Sequence, residues 1–110
     1  MIEETISNIE NRVRNAPGMS DDNRAALLSL VAALKTEVSS LSETHGEQAH
    51  SIAAFTDLST HEATRTQKDP ALLNHALGGL GHSVREFKVS HPDLVKSVDN
   101  ICRVLAGIGV

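Results

Sequence analysis

The sequence predicts an all-α domain. Apolar residues recur at the 3.6-residue helical period along most of the chain, and no segment alternates like a strand. Breakers and caps (Pro17-Gly18, Asp69-Pro70 and Ser90-His91-Pro92) fall between the periodic segments. At 110 residues the chain is one domain's worth. The expected architecture is an antiparallel bundle of four longer helices with a short N-terminal helix. Its parts are an N-terminal helix over 1–15, a first hairpin over 20–67 and a second over 69–108.

In the first helix Ile2, Ile6, Ile9 and Val13 are spaced 4-3-4 on one face. Glu3 and Glu4 near its start, and Arg12 and Arg14 near its end, suit the helix dipole. Ser20 caps the second helix, which carries Leu27, Val31, Leu34, Val38 and Leu41 as a heptad-like seam and runs to about Glu43. Thr44 and Glu47 read as a capping box for the third. The third helix has a weak face of Ala49, Ile52, Ala53, Phe55, Thr56, Ser59 and Ala63. Asp69-Pro70 opens the fourth helix as cap and N1 proline. Its seam is Leu73, Leu77, Leu80, Val84 and Phe87, interrupted by Gly78, Gly79 and Gly81. Each glycine costs up to about 1 kcal/mol relative to Ala in a helix interior. Close approach of the small residues of the third helix is the expected compensation. Ser90 and Asp93 read as a second capping box, opening a fifth helix with Leu94, Val98, Ile101, Leu105 and Ile108.

A shift of 46 residues lays helices two and three on helices four and five without a gap. Six of forty positions coincide between Ala25–Thr64 and Ala71–Val110. Matched heptad phase accounts for much of that agreement. The turn Thr44-His45-Gly46-Glu47 landing on Ser90-His91-Pro92-Asp93 is not forced by periodicity. It suggests two duplicated hairpins.

Composition excludes several functions. The net charge is −4, the cations are scattered, and the aromatic residues are Phe55 and Phe87 alone. A nucleic-acid binder needs a cationic face and usually stacking aromatics, so no nucleic-acid partner is expected. No apolar run approaches the roughly 20 residues that span a bilayer, and the acidic start is unlike a signal peptide. The expectation is a cytoplasmic protein without membrane attachment. Cys102 is the sole cysteine and sits on an apolar stripe, where it reads as a buried, inert thiol.

No catalytic motif emerges, no enzyme activity is expected, and no cofactor is implied. Glu47 and His50 form one Glu-x-x-His pair of the kind used in di-iron bundles, which need two such pairs and further inward carboxylates. They are metal candidates only across an oligomer interface. His61-Glu62-Ala63-Thr64-Arg65 begins like a zinc-protease motif but has Arg65 where the second histidine belongs. Glu62 and Arg65 instead read as an exposed i, i+3 ion pair. The glycine cluster at 78–81 lacks the strand and the Gly-Lys-Ser/Thr of a phosphate loop. His45 and His91 occupy matching helix starts and read as turn chemistry.

Ile2-Glu3-x-Thr5-Ile6-x-x-Ile9-Glu10, His61-Glu62-Ala63-Thr64-Arg65 and Ser90-His91-Pro92 together resemble a family of short bacterial all-helical proteins of unknown function. The resemblance implies a bacterial, cytosolic protein and brings no activity or site residue with it.

The sequence-based expectation is a non-enzymatic interaction, scaffold or regulatory module with an unidentified protein partner. The alternative is a metal-binding bundle using Glu47 and His50. Narrow seams on long helices also predict a homo-oligomer, a dimer first. The first helix (Ile2, Ile6, Ile9, Val13) and the second are its expected contacts. His61, Glu62 and Arg65 are candidates for a partner surface.

Overall fold

A computed structural model describes residues 2–109 of the chain. It is all-helical, with no strand among the described residues: α1 (Ile2–Asn15), α2 (Asp21–Leu41), α3 (Gly46–Thr64), α4 (Pro70–Ser83), a 3-10 turn (Arg85–Phe87) and α5 (Pro92–Ile108).

Local chemistry explains most boundaries. Gly18 takes φ +77°, a left-handed conformation open to glycine, and turns the chain out of α1. Ser20 accepts from the Asn23 amide at 3.1 Å, and Asp69 accepts from the Leu72 amide at 3.1 Å with Pro70 behind it. Both helix starts follow the sequence reading.

The other two starts do not. His45 and His91, not Thr44 and Ser90, are the N-caps, and neither makes a side-chain cap bond. Thr44 and Ser90 turn their hydroxyls to the imidazole of the next residue, at 2.8 and 2.9 Å from Nδ1. A hydroxyl so engaged does not reach the amide three residues on, so the capping boxes do not form. The two turns are near copies: φ/ψ is −134°/62° at His45 and −135°/66° at His91. Both rings meet Phe87 edge-on, at centroid distances of 5.4 and 5.3 Å.

The fourth helix stops short of its seam. The Ser83 hydroxyl donates to the Leu80 carbonyl at 2.6 Å, competing for an acceptor of the last turn. The 3-10 turn follows, and still delivers Val84 and Phe87 to the core at 2% and 3% exposure. Of the three glycines, only Gly79 answers to close approach. A Cβ there would overlap the Phe55 ring, whereas Gly78 and Gly81 face open space. The neighbour is therefore the aromatic residue of α3, not one of its small ones.

The seam of α2 is buried as read, and so is that of α5 except for Ile108, which is half-buried. Packing crosses the expected hairpins, however. The most extensive neighbour of α2 is α5, and that of α4 is α3, while α1 lies on α2 and α3. Ile6, Ile9 and Val13 are thereby fully buried within one chain, and Ile2 is half-buried against the same core. The stripe read as a dimer contact is covered by the chain's own helices. Burial of this kind stabilises by about 25 cal/mol per Å² of apolar area.

The weakest face in the sequence belongs to the most surrounded helix. α3 contacts all four other helices. Thr56, Ser59, Thr60 and Glu62 are buried on it beside Ala49, Ile52, Ala53 and Ala63. Small side chains let several neighbours approach at once. Thr56, Thr60 and Thr64 donate to the carbonyls of Ile52, Thr56 and Thr60 at 2.7–2.8 Å, which satisfies these three hydroxyls, whereas the buried Ser59 hydroxyl has no partner.

Candidate functional site

Two polar regions flank α3, and their electrostatics differ. The first joins α3 to α1. Arg12 Nε donates to Asp57 Oδ1 at 3.0 Å, and Arg12 Nη1 lies 3.3 Å from His61 Nδ1. His61 Nε2 is 3.9 Å from Glu62 Oε2, and Arg65 Nη1 donates to Glu62 Oε1 at 2.8 Å. His61, Glu62 and Arg65 are thus brought together as links in one network that fastens α1 to α3. Glu62 corrects its sequence reading: it is buried at 7% exposure, not solvated, because its turn of α3 faces inward.

Below this network the end of α1 is held by a residue that the sequence reading missed. Arg24 donates to the Val13 carbonyl, to Arg14 O at 2.9 Å, to Ala16 O at 3.0 Å and to Met19 O at 3.3 Å. One guanidinium thereby serves the orphan carbonyls at a helix C-terminus. A signal was present in the sequence: a cation in the first turn of α2, where the dipole favours anions.

The second region is a groove of about 600 Å³ between the first half of α3 and the end of α4. Its floor is Phe55 against Gly79. Glu47, His82, Arg85 and Glu86 line it. None of these four makes an ion pair or a side-chain hydrogen bond, although charges of both signs share the rim. Of this set the sequence singled out only Glu47, as a metal candidate. The others lie on different elements, so spacing along the chain gave no sign of them.

Glu47 and His50 are both exposed near the start of α3; Glu47 lines the α3/α4 groove, and His50 lines a different depression with Ile2, Glu3, Ser42 and Gly46. Among the described residues no three His, Cys, Asp or Glu side chains are grouped to hold a metal ion. Cys102 is half-buried; burial first, and Asp99 second, push its thiol up to about 11. Such a thiol holds little thiolate at neutral pH and is a poor nucleophile.

No family model matches the chain, and neither a curated protein nor a solved structure matches it. No helix among the described residues is long and apolar enough to cross a membrane.

Proposed function

We propose that the chain is a non-enzymatic interaction module that engages a partner protein through the α3/α4 groove. The observation that carries this is the ring of charges without partners above the Phe55 floor. Charged groups of both signs around an apolar floor can supply orientation, while the floor supplies buried area. The α1/α3 network has no such spare capacity, since its charges are committed to one another. His61, Glu62 and Arg65 are accordingly proposed as structural, not as the partner surface.

The test places a photo-crosslinking residue at Gln48 in the groove and, separately, at Asn11 on α1, in the native host. A product specific to Gln48 that disappears in Arg85→Glu supports the groove. Identical products from both positions, or products that survive Arg85→Glu, overturn it. Self-association is read in the same samples by native mass spectrometry. A dimer would have to use surface outside the α1 and α2 seams, because those are buried within the chain.

A further inference from the structure

The α3/α4 groove continues beyond its charged end. A Cβ on Gly79 would overlap the Phe55 ring, and one on Gly109 would meet both Leu73 and Ala63. Phe55 therefore lies opposite Gly79 and Ala63 lies near Leu73, so α3 and α4 run antiparallel in a fixed register. Leu58 follows Phe55 by three positions and Leu72 precedes Gly79 by seven, so each shares a helical face with a residue of the groove floor. Leu58 and Leu72 are both 45% exposed. Among the described residues the other exposed large apolar side chain is Val89, in the turn before α5. The apolar floor is thereby extended along both helices. From Glu47 to Leu58 the row is about 17 Å long, which matches about three turns of helix.

Free charges sit at one end of this row. Glu47, His82, Arg85 and Glu86 make no ion pair there. At the other end Arg65 is bound to Glu62, Lys68 to the Ala63 carbonyl and Asp69 to the Leu72 amide. An occupant that fits is apolar along most of its length and charged at one end, with a cation for Glu47 or Glu86 and a carboxylate for Arg85. Its backbone is constrained as well. Both walls are helices, whose interior amides and carbonyls are bonded within the helix, so an extended segment would bury backbone groups without partners. A helix satisfies its own. A second copy of this chain supplies no such ridge. The stripes of α1, α2 and α5 are buried in its own core, and Leu58 and Leu72 belong to the groove itself. Two concave faces laid together would leave a void, and with it lost contacts.

We infer that the α3/α4 groove receives one amphipathic helix of a different protein. Its apolar anchors, at positions i, i+3 and i+7, lie along Phe55, Leu58 and Leu72, and its charged end lies over Glu47, Arg85 and Glu86. This rests on the groove being an interaction surface, and adds the conformation and the polarity of what fills it.

The test titrates the full chain with an Ala-rich peptide of about 14 residues, carrying Leu at i, i+3 and i+7 and a Lys and a Glu in the turn at one end. Amide chemical shifts of the protein and the helicity of the peptide are read together. The shifts should saturate, stay within 47–58 and 72–86, and accompany a gain in helicity. A peptide with proline at its centre should bind about tenfold more weakly or worse, and so should the original peptide to Leu58→Glu and to Leu72→Glu. Leu58→Ser and Leu72→Ser replace any glutamate variant that loses its dispersed spectrum. Val89→Glu, which is off the groove, should bind like the unaltered chain. Equal binding by the proline peptide, unchanged affinity in the leucine variants, or no shift at millimolar peptide would overturn the helix. The groove reading is decided separately by the Gln48 crosslink. A Gln48 product that is lost in Arg85→Glu, with no helical peptide bound, would keep the groove and remove this inference. A Gln48 product joining two copies of this chain would overturn the different protein as occupant.

Discussion

The two polar regions on α3 contain similar residues and do different things. On the α1 side, Arg12, Asp57, His61, Glu62 and Arg65 are joined in one chain of contacts from 2.8 to 3.9 Å. On the α4 side, Glu47, His82, Arg85 and Glu86 surround an aromatic floor without pairing. A charge that is already paired contributes to holding helices together. A charge left unpaired in water contributes little to folding and is available to something else. Polar composition alone does not separate the two cases; partners in three dimensions do.

The comparison can be broken most severely at Ile9. If α1 serves its own chain, Ile9→Ala should destabilise by about 2–5 kcal/mol, the range for large-to-small core changes. Chemical denaturation at several protein concentrations checks this, because an intermolecular stripe would give a midpoint that moves with concentration. Next comes the network. Arg65→Ala strands the buried Glu62 carboxylate and should cost about 2 kcal/mol, below the value for a fully buried pair because Arg65 is itself 30% exposed. Adding Glu62→Gln should restore part of that loss, and a double variant no better than Arg65→Ala would remove Glu62 from the argument. A smaller effect belongs to Arg12 and Asp57. Their coupling in a double-mutant cycle should fall within about 0.2–1 kcal/mol, since Arg12 is 41% exposed and solvent screens the pair. Smallest of all, Glu47→Gln, Arg85→Ala and Glu86→Gln should each change stability by no more than about 0.5 kcal/mol. A large loss at any of these three would show that the groove is structural after all.

Legibility followed the same division. The seams of α2 and α5, the breaker at Gly18 and the caps at Ser20 and Asp69 were readable, because each depends on residues within a few positions of one another. The Thr44 and Ser90 capping boxes were misread because a neighbouring imidazole competes for each hydroxyl. The early end of α4 was missed because Ser83 bonds to the turn before it, which a periodic pattern does not register. His61–Arg65 drew notice as a polar stretch, but its partner Arg12 is 45 to 49 residues away from Asp57 and His61. Only Glu47 of the groove was noticed, and for a different chemistry.

The sequence by itself determined that the chain is helical, where most helices begin and end, and which residues of α2 and α5 face inward. These follow from period, propensity and caps, all of which act locally. The tertiary structure decided that α3, with its small and polar face, is the helix most enclosed. It also decided that the α1 stripe is used within the chain and that one set of charges is paired while another is not. Those outcomes depend on which helices become neighbours. Small side chains can lie against four helices where large ones fit fewer, and two charges neutralise each other only when the fold brings them within a few ångströms.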